Sequence, residues 1–239
     1  FFDKTFISDS FSCRNEKGTH RALNRFRSFA YKVSKNNTKT CWILKCDIRK
    51  FFENINHDIL LNILRRYIPD KEIISLLEKV IRSFSSKPHT GLPLGNLTSQ
   101  LLVNIYMNEF DQFIKHRLRI RHYIRYADDF VVLSKDKDYL CQQIPGIKGF
   151  LQTNLKLELH QDKIHIKTLA SGVDFLGWVH FQDHRVLRTT TKSRMFKRLR
   201  ESPSLETISS YLGLIKHGNT GKIRKKIYLI KKHENSFSL

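Results

Sequence analysis

The chain has 239 residues, 40% of them hydrophobic and 11% aromatic, enough for a sizeable core and too many for a mostly disordered chain. Its 43 Lys and Arg against 22 Asp and Glu give a formal charge of +21, which points to a polyanionic partner, either nucleic acid or an anionic membrane surface. Ten Gly and five Pro exclude collagen-like and low-complexity chains, and no apolar run approaches the ~18 residues of a membrane span.

Cys13, Cys41, Cys46 and Cys141 include no Cys-x-x-Cys pair; they are expected to be reduced thiols of an intracellular protein. The opening Phe1-Phe2-Asp3-Lys4 is neither an initiator Met nor a signal-peptide start, so a missing N-terminal piece is expected. The first forty residues are basic with interleaved aromatics. Within them Leu23, Phe26 and Ala30 suit a helix over 18–31, with Thr19 as N-cap. Cys41 to Ile48 reads as a mostly buried strand ending at Asp47. Two amphipathic helices follow, the first stopping at Pro69 and the second capped by Asp70.

Gly91 to Asn96 is a turn-rich loop leading into a long helix, about 98–115. Tyr123–Tyr126 and Phe130–Leu133 are short apolar segments around Asp128-Asp129, a hairpin pattern. The helix expected over 138–154 should break or kink at Pro145-Gly146. Strand-like pieces follow at 156–160, 163–168 and 173–180. After Asp183 Lys and Arg dominate as far as His233, with only Glu201 and Glu206 against them. This stretch is expected to be a small basic helical domain. The order of elements is α+β, compatible with a ferredoxin-like sheet that brings the end of the Asp47 strand beside the Asp128-Asp129 turn.

Asp pairs are common turn fillers. This hairpin is more hydrophobic than a surface ornament, and such turns usually carry Gly or Asn. Chemistry supplies another reason. Two divalent ions about 3.5–4 Å apart stabilise the attacking and leaving oxygens of a phosphoryl displacement, and Mg²⁺ takes carboxylates together with substrate phosphates. A nuclease and a polymerase both use such a site, so the carboxylates alone do not choose.

Tyr126-Ala127-Asp128-Asp129-Phe130 resembles the Y-x-D-D box of reverse transcriptases. Lys45 to Phe52 is similar to their first catalytic-Asp box, Gly91 to Gln100 to the dNTP-side loop and helix, Phe175-Leu176-Gly177-Trp178 to the primer-grip hairpin, and Phe11 to His20 to an upstream fingers motif. The boxes stand in family order over about residues 6–182. The resemblance is to bacterial-type enzymes and, within these, to diversity-generating retroelement reverse transcriptases. That finer likeness rests on Pro93-Leu94-Gly95, where most of the family has Gln in place of Leu94, followed by Ser99-Gln100.

The resemblance implies a right-hand polymerase. Its ferredoxin-like palm would be about 41–57 and 96–182, its interleaved helical fingers about 1–40 and 58–95, and its small helical thumb 183–239. It implies that Asp47, Asp128 and Asp129, with the carbonyl of Ile48, hold two Mg²⁺ ions, which Mn²⁺ can replace. A primer 3′-OH would attack the α-phosphate of a dNTP on an RNA template. Lys163 would protonate the leaving pyrophosphate, and Phe52 would stack under the sugar and clash with a 2′-OH, which argues against an RNA-making enzyme. Arg14, Phe52, Leu94 and Gly95 would contact the nucleotide. Lys17, Gly177, Trp178, Arg194, Lys197, Arg198, Lys222, Arg224 and Lys225 would contact nucleic acid.

Leu94 cannot make Gln's hydrogen bond, so lowered fidelity is expected. A DNA or RNA primer and an accessory protein fit the same reading, as does a cytoplasmic bacterial or phage-encoded setting. No membrane role is expected, since the basic region has modest apolar positions and no lipidation motif. Group II intron, retron and phage-defence enzymes remain alternatives, as does a non-catalytic nucleic-acid-binding derivative.

Overall fold

The computed structural model describes residues 1–202 and 204–235, with side chains through Leu229. The last residues of the expected thumb, 236–239, lie outside the described residues. The chain divides into two compact units, Phe1–Ile166 and Lys167–Leu239.

The first unit contains, in order, α1 (Thr19–Val33), β1 (Trp42–Asp47), α2 (His57–Tyr67), α3 (Lys71–Arg82), α4 (Leu97–Gln112), β2 (Tyr123–Tyr126), β3 (Asp129–Ser134) and α5 (Lys137–Leu155). β4 (His165–Thr168) follows at its boundary. The sheet order is β2-β3-β1-β4, with β3 antiparallel to both neighbours. Strand, helices, hairpin, helix and edge strand in this order form the ferredoxin-like arrangement.

Strand alternation sorts the sheet residues onto two faces. Leu44, Cys46, Tyr123, Phe130 and Val132 join the main core. There they meet Tyr106 and Phe110 of α4, and Leu140, Ile147 and Leu151 of α5. Lys45, Asp47, Tyr126 and Asp129 alternate to the other face. α1 packs on β2 and β3, and its buried Leu23, Phe26 and Phe29 lie outside the main core cluster, so it covers part of that second face. The outer edge of β2 is closed by the N-terminal segment. Arg125 donates its backbone N–H to Asp9, and Phe11 donates back to Arg125.

Two local expectations change. α1 is capped at Gly18, whose φ of 92° suits glycine, and Thr19 is already helical. The Thr19 hydroxyl bonds the Tyr126 hydroxyl instead, at 3.2 Å. α5 runs unbroken from Lys137 to Leu155 with Pro145 inside it. The lost hydrogen bond and ring clash cost about 3 kcal/mol. Leu140, Ile147, Leu151 and Leu155 are almost wholly buried, and each such side chain returns about 1.5–3 kcal/mol. Asp136 also caps the helix through the N–H groups of Asp138 and Tyr139.

The second unit has a three-stranded antiparallel sheet, β5 (Val173–Phe175), β6 (Trp178–His180) and β7 (Arg185–Leu187). Three helices follow it, α6 (Thr189–Glu201), α7 (Leu205–Ile215) and α8 (Gly221–Asn235). The composition shift after Asp183 therefore falls inside this unit, between β6 and β7. No described helix is long and apolar enough to cross a membrane.

Candidate active site

β1 and β3 pair so that Asp47 stands directly opposite Asp129. The turn from β2 to β3 consists of Ala127 and Asp128, with Ala127 at φ 54°. Asp47, distant in the chain from the other two, thus meets Asp128 and Asp129 at one end of the sheet.

Their electrostatics follow from this crowding. Asp129 Oδ1 is buried with no hydrogen-bond partner, while Oδ2 lies 3.4 Å from Lys45 Nζ. Burial pushes the Asp129 carboxyl up to about 7. Lys45 opposes the rise, and Asp47 and Asp128 add to it. Asp128 is also raised, chiefly by burial, with Asp47 contributing. Asp47 Oδ1 accepts from Lys163 Nζ at 2.9 Å, and Lys163 ends the one-turn helix Gln161–Lys163.

Among the described residues no group of three His, Cys, Asp or Glu side chains is arranged to hold a metal ion; Lys45 and Lys163 pair with Asp129 and Asp47 instead. The donor set still fits a hard divalent cation. It offers only carboxylate oxygens, one of them buried and unsatisfied, at a point of excess negative charge. The two bonds that join this end of β1 to the following chain run from Arg49 N–H to Glu158 and from His160 N–H to Asp47. Neither uses the Ile48 carbonyl.

The other expected residues separate into groups. Phe52 opens a short 3₁₀ turn and sets its ring edge-on to Phe51 at 5.4 Å; Phe51 itself is core. Leu94 is 77% exposed, and Gly95 adopts φ 80° just before α4. Arg194, Lys197 and Arg198 on α6, and Lys222, Arg224 and Lys225 on α8, are all exposed.

Arg14 does not stand free for a nucleotide. Its side chain is only 5% exposed and bonds Asp3 and the carbonyls of Ile7 and Ser10. Lys17 donates to the Ser8 carbonyl at 2.9 Å and lies over Phe11. Both therefore tie down the N-terminal segment. Trp178 is core of the second unit, 1% exposed beneath Arg185; a Cβ on Gly218 would collide with its ring. Gly177, at φ 81° after Leu176 at 52°, makes the tight turn between β5 and β6.

Two important residues are given no role by the motif reading. Lys45 was detectable, because two residues before Asp47 in a strand means the same face. Arg125 was not, since an arginine inside an apolar strand gives no sign of its partners. It is wholly buried and bonds Asp111 at 2.7 and 2.8 Å, Ser10 at 3.0 Å and the Ala127 carbonyl at 3.0 Å.

A ferredoxin-like sheet bearing three carboxylates at a β-hairpin turn defines a nucleotidyltransferase palm. The family model described as reverse transcriptase (RNA-dependent DNA polymerase) matches residues 2–180, and the chain belongs to this family. Protein YkfC of Escherichia coli K12 is 27% identical over 229 residues, covering 80% of this chain and 58% of YkfC. The group II intron-encoded protein LtrA of Lactococcus lactis is 24% identical over 264 residues, covering 82% of this chain and 42% of LtrA.

Among solved structures, apo telomerase from Candida tropicalis, truncated from its C-terminal domain, superposes with a TM-score of 0.60 at 13% identity. That alignment covers 78% of this chain and 43% of that one. The likeness establishes the right-hand polymerase fold. The chain spans about half the length, or less, of the curated relatives it matches.

Proposed function

We propose that this chain is the polymerase core of an RNA-directed DNA polymerase, adding dNTPs to a DNA or RNA primer on an RNA template. The observation that carries the reading is the pairing of Asp47 with Asp129 beside Asp128, with Asp129 Oδ1 buried and unsatisfied. In this reading Asp47, Asp128, Asp129 and the Ile48 carbonyl hold two Mg²⁺ ions. When bound, these ions supply charge neutralisation and activation of the primer hydroxyl. The chain's own groups do the rest. Lys163 relays a proton towards the leaving pyrophosphate, Phe52 selects against a 2′-OH by clash, and Leu94 and Gly95 border the nucleotide.

We assign residues 1–40 and 58–95 to fingers, 41–57 and 96–182 to palm, and the basic helices after 183 to a thumb that follows duplex phosphates. A diversity-generating retroelement setting rests on Leu94. A group II intron-like setting is favoured by the similarity to the group II intron-encoded protein LtrA.

The test is primer extension on poly(rA)/oligo(dT) with Mg²⁺ or Mn²⁺. The parent chain should extend, and Asp128→Ala should lose at least about a hundredfold in rate, on the scale of a misplaced reacting group. Equal rates, or no extension by the parent with either metal, overturn the proposal.

A further inference from the structure

At the far end of the β2–β3 hairpin from the carboxylates lies a concavity of about 380 Å³. Its rim carries Lys32 and Lys35 from the end of α1, Arg119 and Arg121 from the approach to β2, and Lys135 just after β3. All five are exposed, and among the described residues none of them makes an ion pair. Ile120 and Leu133, also in the lining, are buried. The concavity therefore offers cationic heads over a floor that includes the buried Ile120 and Leu133. The nearby acid Asp136 is engaged as the N-cap of α5, accepting from Asp138 and Tyr139.

The cations sit on defined backbone. Lys35, Asn36, Asn37 and Arg119 have φ between 48° and 64°. The loop after α1 is closed by Asn36 N–H to Tyr31 and by Lys39 N–H to Ser34. Their field is felt by His122, which also lines the concavity. Burial first, and then Lys115, Lys32 and Arg121, hold its imidazole below the ordinary range. Exposed cations at this density, none of them in an ion pair among the described residues, are the footprint of a phosphate-binding surface.

We propose that this concavity is a second nucleic-acid site, gripping the phosphodiester backbone of a strand distinct from the one at the catalytic turn. β3 separates the two places by six residues, from Asp129 to Ser134, about 17 Å of extended chain. The site goes beyond the polymerase reading and does not require it. It predicts sequence-independent, salt-sensitive binding, because each phosphate contact releases counterions.

The test compares the parent chain with a variant carrying Lys32→Gln, Arg119→Gln, Arg121→Gln and Lys135→Gln. Fluorescence anisotropy would follow a labelled single strand of about 16 nucleotides, the upper end of what one protein module covers, across a salt series. RNA and DNA of the same sequence form separate arms. The slope of log affinity on log salt should shrink by about 3, as four lost phosphate contacts imply, with at least a tenfold loss of affinity for RNA, DNA or both. The Arg119→Gln/Arg121→Gln pair should show about half that change in slope. Thermal melting should not move, and extension of a short pre-annealed hybrid should be unchanged.

Unaltered affinity and slope overturn the site. So does a loss that merely parallels lost extension of the short hybrid, or displacement of RNA by phosphatidylserine vesicles. If the parent does not extend at all, the polymerase reading fails, while the anisotropy comparison still decides this one.

Discussion

Arg125 shows how one buried side chain can govern a site it does not enter. The guanidinium and the Asp111 carboxylate are both fully buried, and Tyr123 donates its hydroxyl to the same carboxylate at 2.7 Å. One arm remains for the Ala127 carbonyl. Ala127 sits at φ 54°, which costs a residue with a Cβ about 1–2 kcal/mol. Arg125 thus offsets the strain of the turn that presents Asp128 and Asp129.

Arg125→Lys keeps the charge but loses the planar fork. Primer extension and Mn²⁺ affinity should each fall roughly 10–100-fold, the usual cost of removing a group that orients metal-binding side chains. Adding Ala127→Gly should restore part of both, because glycine takes positive φ freely. No recovery would mean that the arginine acts on general stability alone. At Leu94 the expected readout is fidelity. Leu94→Gln should reduce misincorporation in a sequenced product pool, and an unchanged error spectrum would remove Leu94 from the selectivity account.

At the scale of elements, β6 couples packing to pH. His180 is buried on this strand, 4% exposed, near the Phe175 carbonyl at 3.4 Å. Burial, reinforced by Arg185, drives its pKa down to about 4. The unfolded chain therefore takes up a proton near pH 6.5 while the folded chain resists until about pH 4. Stability is full above 6.5 and is lost as pH falls through that window, by at most roughly 3 kcal/mol. In urea titrations followed by Trp fluorescence, His180→Phe should flatten the decline between pH 6.5 and 4. An unaltered decline would assign it to other groups.

The same strand shows where sequence patterns stop. Alternation in β1 and β3 is legible and carries Asp47 and Asp129 to one face. Trp178 sits in a recognisable motif and on an apolar strand, where a core ring is equally expected from sequence, and the packing of Gly218 and Arg185 against it decides for core. Pro145 misleads for a similar reason: a local penalty is visible in sequence, whereas the burial that outweighs it comes from residues of α4 and the sheet.

For the whole molecule, the charge of +21 is unevenly used. Part is consumed internally, as Arg14, Arg125 and Lys115 show by their bonds to Asp3, Asp111 and Asp9. Part stays exposed on α6 and α8. Arg194→Gln, Lys197→Gln and Arg198→Gln together should weaken binding of an RNA–DNA hybrid and lower its salt slope by about 2 to 3. An unchanged slope would remove α6 from the duplex path. The total charge was legible from composition, but its division between internal and outward roles depends on partners more than a hundred residues distant in the cases of Lys115 with Asp9 and Arg125 with Ser10.

The strip of backbone that borders β2 has a practical consequence. Asp9 and Phe11 occupy hydrogen-bonding groups that an uncovered sheet margin would offer to any passing extended peptide. Deleting the first dozen residues would turn that margin into a template for self-association and would also strip Ser10 from Arg125. Engineers trimming the protein for expression should expect aggregates from any cut that removes Asp9 to Phe11.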